Sequence, residues 1–526
     1  MLENFPFYLG ILIIILLLIM LANKIKVAYP ILLVLAGLII SFIPGVPIIT
    51  IEPELIFFIF LPPLLYEAAW KVSWKELWRW RRIITSFAFV VVFLSALSVA
   101  LVANYIIPGF SLALGFVLGG IVSPPDAVSA GAILKFVKVP KTLSSILEGE
   151  SLLNDASSLI IFRFAMIAVA TEQFIFYKAA VSFSWMVFGG VGIGLLIGWL
   201  FMKAHKYLPT DANADILLSL LTPYIIYIAA EEAHSSGVLA VVCGGLLLSN
   251  NRHRFLNSRS RLQGINVWES FCFILNGLVF MLIGLDLPQI TKGLEEAHIP
   301  LPTAIGYGVI ITLVLIVSRI LSSYGAVVVT LIARNFITVA DTRNPGFKTP
   351  FILGWTGMRG VVSLAAALSI PVFLNNGNGF PQRNLILFIT FIVILLTLLI
   401  QGLTLPYIIK KINLTDVYDP VPRDEVANTI KQELGAYALH YLKTNYSDQV
   451  ESNASLQHLI RKWEHRNDGI DDDSIGTDLK DIYLDLLDKQ RQWLINKNRE
   501  DKTLDETIIR RQMHYLDIEE EKLRYI

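Results

Sequence analysis

The chain has 526 residues, of which 55% are apolar or aromatic and only 16% are charged, whereas a soluble globular protein carries nearer one quarter charged residues. Apolar runs of about 20 residues recur from the N-terminus to about residue 410, each long enough to cross ~30 Å of hydrocarbon; this excludes a soluble globular protein and gives no reason to expect a nucleic-acid partner. The net charge of zero hides an asymmetry: residues 1–411 hold 27 Lys and Arg against 19 Asp and Glu, and residues 412–526 hold 16 against 24.

Thirteen spans are predicted, at 5–22, 28–43, 54–70, 83–106, 112–134, 143–169, 181–202, 213–230, 235–249, 266–287, 302–333, 350–372 and 384–409. The first has no basic run before it and no small-residue cleavage site after it, so it reads as a retained span rather than a signal peptide. Basic residues test the count, because they favour cytoplasmic loops. With the N-terminus outside, the loops assigned to the cytoplasm hold 21 basic residues, from Lys24 and Lys26 to Lys410 and Lys411; the opposite loops hold only Lys178, Lys292 and Arg383. A miscounted span would break that alternation, so the C-terminus is placed in the cytoplasm. Trp70, Trp74, Trp78 and Trp80 cluster beside Arg79, Arg81 and Arg82 as an interfacial aromatic belt. Cys243 and Cys272 lie inside apolar segments and read as small core residues, with no disulfide framework or thiol–metal spacing.

Charge in hydrocarbon costs at least ~2.5–3.5 kcal/mol per group at a helix centre, so charged residues inside spans line a pathway or pair. They are Arg163, Arg319 and Arg359, with Glu67, Asp126, Glu148, Glu150 and Asp155 at depth and Glu231, Glu232 and Asp286 nearer the ends. In the third span Pro62-Pro63 makes a kink one turn before Glu67, which is either an interfacial carboxylate or a group facing an ion funnel. In the fifth, Gly119-Gly120 followed by Pro124-Pro125 cannot form a continuous helix, because proline lacks an N–H donor and disfavours α geometry in the residue before it. The span unwinds there with Asp126 at the break, and broken helices are tolerated in membranes only where they line a polar cavity; transporters use them as ion sites.

The sixth span carries Glu150-Ser151-Leu152-Leu153-Asn154-Asp155. Ser151 and Asp155 are four apart and share a helix face, with Glu150 and Asn154 as the adjacent pair. Oxygen groups of this kind suit hard cations. One carboxylate near the membrane centre takes either a cation or a proton but not both, and that competition suffices for exchange. In the twelfth span Gly354-Trp355-Thr356-Gly357-Met358-Arg359-Gly360 marks a second break or close approach. Arg359 needs an anionic partner in this setting, and Glu150 is the predicted one.

Together these segments resemble the sodium/proton exchangers of the monovalent cation:proton antiporter superfamily, and among them the bacterial relatives of the eukaryotic exchangers, over residues 5–410. The resemblance implies an all-α polytopic membrane protein of about 13 transmembrane helices, with inverted repeats and crossed unwound helices; the C-terminal helical cytoplasmic domain is read separately below. It implies a homodimer with a dimer subdomain and a moving core subdomain. Carried over residue by residue, Asp155 is the essential carboxylate, Asn154 the neighbour that marks the electroneutral branch, Ser151 and Glu67 further cation ligands, Asp126 a residue beside the crossing, and Glu150 with Arg359 a structural ion pair. One departure stands out. Many relatives carry Thr or Ser before the Asp that matches Asp126 and Pro after it, where this chain has Pro125 and Ala127; the missing hydroxyl leaves the Pro125 carbonyl as that position's contribution.

Residues 412–526 read as a helical cytoplasmic regulatory tail, separate from a transmembrane antiporter domain at 1–411. Leu434, Ala438, Leu439 and Leu442 recur at helical spacing, as do Leu479, Ile482, Leu486 and Leu487, and then Trp493 and Leu494. The acidic run 467–474 loosely resembles a calcium loop but lacks the bidentate Glu at the required spacing, and reads as a solvated linker. The expected function is antiport of Na+, or of Li+ or K+, against H+ across the cell (inner) membrane, with no cofactor. Its partners are monovalent cations, protons, the lipid bilayer and a second copy of the chain. A tail-regulated K+/H+ antiporter is the alternative. A channel needs a pore ring or selectivity loop, and an intramembrane enzyme using Asp126 and Asp155 lacks a nucleophile–His pair.

Overall fold

The computed structural model describes residues 5–44, 56–137, 139–171, 176–333, 346–374, 378–412, 423–446, 456–457, 460, 480–501 and 504–524. Regular structure among them is helical apart from one isolated antiparallel bridge between Phe373 and Gly379. Without water in the hydrocarbon, each backbone N–H and C=O needs an internal partner, and a helix supplies one within its own segment. The acidic run 467–474, Leu479, Lys138, Arg334 and Arg343 lie outside the described residues.

Eight helical stretches among the described residues are long and apolar enough to cross a membrane: Pro6–Ile25, Trp74–Ile106, Lys141–Thr171, Val181–Tyr207, Ala212–Glu232, Ser258–Glu296, Leu301–Ile332 and Arg383–Ile412, with shorter apolar helices at Tyr29–Ser41 and Leu112–Val122. In chain order the helices used below are α1 (Phe5–Ile25), α2 (Tyr29–Ser41), α3 (Leu61–Lys71), α4 (Trp74–Thr85), α5 (Val92–Ile106), α6 (Leu112–Val122), α7 (Ala127–Leu134), α8 (Lys141–Thr171), α9 (Phe176–Tyr207), α10 (Ala212–Glu232) and α11 (Gly237–Phe255). They are followed by α12 (Ser258–Leu285), α13 (Leu287–Glu296), α14 (Leu301–Ala333), α15 (Lys348–Trp355), α16 (Val361–Leu368), α17 (Arg383–Ile412), α18 (Arg423–Asn445), α19 (Lys480–Glu500) and α20 (Glu506–Arg524). Two of the predicted spans are therefore each built of two short helices: α6 with α7, and α15 with α16.

The packing relies on small residues, because apolar helices gain little from hiding from one another in lipid and associate where their backbones come close. A methyl on Gly115 or Gly119 of α6 would press into the backbone of Ala100 or Ala96 on α5. A methyl on Gly120 would lie 2.8 Å from the backbone nitrogen of Phe162 on α8. Along α9, Gly190, Gly194 and Gly198 meet Ser236, Ala240 and Gly244 at the start of α11 and along it, giving a seam of small residues at every fourth position.

The described residues divide into two compact units. One comprises residues 1–204, 218–251 and 268–416, and holds the apolar helices and the site below. The other gathers residues 205–217 and 252–267 with 417–526. Its apolar centre includes Leu434, Leu442, Leu486, Leu487, Leu494, Ile509, Met513 and Leu516 from α18, α19 and α20. A polar network lies in the same unit. His205 Nδ1 is 2.8 Å from Asp215 Oδ1, and Ser260 Oγ donates to Asp215 Oδ2 at 2.7 Å. Arg261 pairs with Asp517, its Nε donating to Oδ2 at 2.9 Å, and Arg491 pairs with Glu520. His253 belongs here too: its Nε2 accepts from Arg252 Nε at 3.4 Å, and burial, followed by the fields of Arg252 and Arg261, pushes its imidazole down to about 2.

Candidate functional site

Both broken spans open where the sequence removes the helix. α6 stops at Val122, and Ser123, Pro124 and Pro125 lead to Asp126, which is extended (φ −94°, ψ 115°) and caps α7. Its carboxylate accepts from Val128 N–H at 3.0 Å, Ser129 N–H at 3.2 Å and Ser129 Oγ at 2.5 Å, satisfying amides that a new helix leaves open. α15 stops at Trp355, and residues 356–360 run unwound to α16. The two unwound segments meet: the Asp126 N–H donates to the Met358 carbonyl at 2.7 Å.

Arg359 stitches this meeting point. Its Nε donates to the Val122 carbonyl at 2.8 Å, and its terminal nitrogens reach the Ser123 carbonyl at 3.5 Å and the Gly357 carbonyl. The carbonyls left over at the end of α6 thus find a cation, which suits the negative pole of that helix. The Arg359 N–H donates to Thr397 Oγ1 on α17 at 3.2 Å. Gly360 leaves the room this requires, since a methyl there would overlap the Asp126 carboxylate.

The expected Glu150–Arg359 pair is not what the structure holds. Glu150 pairs with Arg319 of α14, whose terminal nitrogen lies 2.8 Å from Oε1 and 3.0 Å from Oε2, both side chains being buried. The reason is donor geometry. Arg359 spends its guanidinium on backbone carbonyls, and Arg319 arrives from a helix packed against α5 and α15, leaving Glu150 a partner of its own.

α8 brings Asn154 and Asp155 to the crossing, both buried. Asn154 Nδ2 donates to the Pro125 carbonyl at 3.1 Å, so the carbonyl singled out in the sequence is tied to the sixth span. Among the described residues, Asn154 Oδ1 and Ser123 Oγ are buried without a hydrogen-bond partner. The Asp155 carboxylate accepts no hydrogen bond from the described residues, and Asp126 is the carboxylate whose field reaches it. Ser151, half-buried, stands one turn before Asp155 on α8. Glu67 lies on α3 and pairs with Lys71, one turn on. The structure therefore brings Asp155, Asn154, Pro125 and Asp126 together, whereas Glu67 is engaged within its own helix.

Two participants escaped sequence reasoning. Arg319 was visible as a buried charge but not as Glu150's partner. Thr397 carried no signal, one hydroxyl in a long apolar run.

Two interrupted helices meet at their unwound segments beside a buried carboxylate that no described residue hydrogen-bonds, an arrangement of the kind that broken-helix transporters use as ion sites. Comparison with known proteins narrows this. Residues 11–411 match the family described as "Sodium/hydrogen exchanger, transmembrane", and the chain belongs to that family. It is 35% identical over 388 residues to a sodium, potassium, lithium and rubidium/H+ antiporter of Bacillus subtilis (strain 168), a match covering 72% of this chain and 57% of that protein. The chain thus spans less than two thirds of that relative's length. It is 34% identical over 395 residues to the Na+/H+ antiporter ApNhaP of Aphanothece halophytica, covering 74% of this chain and 70% of that one. The fold is similar to that of the sodium proton antiporter MjNhaP1 from Methanocaldococcus jannaschii at pH 8, with a TM-score of 0.61 and 18% identity over 77% of this chain and 97% of that chain.

Proposed function

We propose that the chain is a secondary active antiporter that exchanges Na+ for H+ across the cell membrane, with cation and proton competing for Asp155. One observation supports this reading: a buried carboxylate accepts no hydrogen bond from the described residues, its chain neighbour Asn154 has an Oδ1 that also lacks a partner among them, and Ser123 Oγ on the unwound segment is likewise unpartnered. Such oxygens suit a hard monovalent ion that has shed water. A proton on Asp155 removes the charge the ion needs, so the two bind by turns. Ser151, the Pro125 carbonyl and Glu67 complete the set of candidate ligands, with Asp126 placed to hold the crossing. Access alternates between the two sides as the helices bearing the crossing move against the rest.

Exchange is electroneutral on this reading, because Asn154 rather than a second carboxylate precedes Asp155. Residues 1–411 do the transport and 412–526 regulate it, the chain pairs with a second copy, and the N-terminus lies outside with the C-terminus in the cytoplasm. The relative from Bacillus subtilis is named for four alkali cations, which favours a site that also accepts K+ and Li+. The test is a proteoliposome assay with Na+, Li+ or K+ gradients, following internal pH and membrane voltage. Wild type should move protons against each accepted cation without building voltage, and Asp155→Asn should abolish exchange. Normal exchange by Asp155→Asn would overturn the reading, and a voltage built by the wild type would overturn its electroneutral part.

A further inference from the structure

Arg163 and Glu231 are charged, sit within apolar helices and play no part in the site above. The Arg163 guanidinium on α8 donates to Glu231 Oε2 on α10 at 2.6 Å. They line one wall of a cavity of about 210 Å³, whose other walls include Leu159, Phe162, Phe58 and Tyr227. The cavity lies further along the helix that carries the ion site. Leu159 and Phe162 are four and seven residues after Asp155, so they stand on the same face of α8 one and two turns on. Arg163, eight residues on, lies about 12 Å along the helix at ~1.5 Å per residue. Phe58 meets Tyr227 edge to face at 5.5 Å, forming an apolar collar near the charged pair.

The two partners are anchored differently. Glu231 Oε1 accepts the Gly237 N–H of α11 at 3.1 Å, and a methyl on Gly237 would lie 2.9 Å from that same oxygen. Glu231 is therefore held by backbone whether or not Arg163 is present. Arg163 rides on α8, the helix that carries Asp155, and among the described residues Glu231 is its one hydrogen-bonded partner. Any displacement of that helix relative to α10 pulls the guanidinium away and leaves a fixed carboxylate facing the cavity.

We infer that this cavity is the outer inlet of the cation route to Asp155, barred by the Arg163–Glu231 pair, and that Glu231 is the first carboxylate a hydrated monovalent cation meets once the pair parts. The inference rests on the antiport reading for its purpose and on the proposed orientation for its side, but its test needs no transport. Ser369, which also lines the cavity, is changed to Cys in a chain whose two native cysteines, Cys243 and Cys272, are replaced by Ser. Its labelling by a membrane-impermeant maleimide is then followed from the outer side of sealed vesicles.

Glu231→Gln should speed that labelling about tenfold, and Arg163→Gln, which parts the same pair from the other side and leaves the Gly237 bond in place, should do the same. In the otherwise native chain, Glu231→Gln should raise the half-saturating external Na+ concentration severalfold and leave the cytoplasmic one unchanged. Equal labelling in Glu231→Gln and its parent, or a lowered unfolding temperature as the sole effect, would mean the pair is a structural tie only and would overturn the inference. A parent chain that fails to exchange ions yet shows the labelling response would sink the antiport reading and leave the inlet standing.

Discussion

At Gly360 a single hydrogen atom decides whether the crossing forms. A side chain there would occupy the space of the Asp126 carboxylate, which is already committed to three donors at the start of α7. Overpacking of this kind costs roughly 1–3 kcal/mol, so Gly360→Ala should lower the unfolding temperature measurably and abolish exchange. Gly131 is the matched control. It lies inside α7, and a methyl added there would meet nothing within 4 Å. Alanine at that position should be neutral, or stabilising by roughly 0.5–1 kcal/mol through helix propensity. A thermal unfolding series in detergent compares the two, and equal effects would show that the close approach at Gly360 does not matter.

The pairing of helices separates two buried arginines that composition treats as equivalent. Arg319→Met leaves the Glu150 charge buried and unpaired, which costs about 3–5 kcal/mol. Adding Glu150→Leu removes that charge and should recover most of the loss. Arg359→Met strips cover from the carbonyls of Val122 and Ser123, and Glu150→Leu should not rescue it. A double-mutant cycle on unfolding temperature reads the difference; rescue of Arg359→Met would restore the pairing expected from sequence. These elements also mark what the sequence could disclose. Gly119-Gly120 and Pro124-Pro125 announce a break locally, because proline and glycine act on their own backbone. The bond from Asp126 N–H to the Met358 carbonyl left no trace, since any residue but proline supplies the same donor. Glu150 had two guanidinium groups to choose from, and helical spacing does not say which of two distant helices lies nearer.

For the molecule as a whole, the second unit has a built-in pH dependence. His253 ordinarily titrates near 6.5, and in the folded unit it is pushed down to about 2, chiefly by burial. Between those values the unfolded chain binds a proton that the folded unit refuses. Stability is then complete above pH 6.5 and falls as pH drops below it, by about 1.4 kcal/mol per pH unit. Unfolding of this unit, followed by a fluorophore on α20, should shift to lower temperature between pH 7 and pH 5, and His253→Asn should flatten that slope. An unchanged slope in the variant would assign the dependence to other groups. Residues 205–217 and 252–267 joined this unit without warning from sequence. Their basic residues read as loop charges at a membrane surface, and nothing local tells that Arg261 finds Asp517, 256 positions away.

The seam between α9 and α11 has a mechanical meaning. At Gly190, Gly194 and Gly198 the two main chains lie so close that a methyl on any of them would meet Ser236, Ala240 or Gly244, so sliding that brings larger side chains to this seam would force the helices apart. The seam behaves as a weld. On the proposed antiport, the rearrangement that carries an ion across should find its slip plane elsewhere, between surfaces faced with large, compliant side chains. Paired spin labels on α9 and α11 should therefore report one unvarying distance throughout the working cycle.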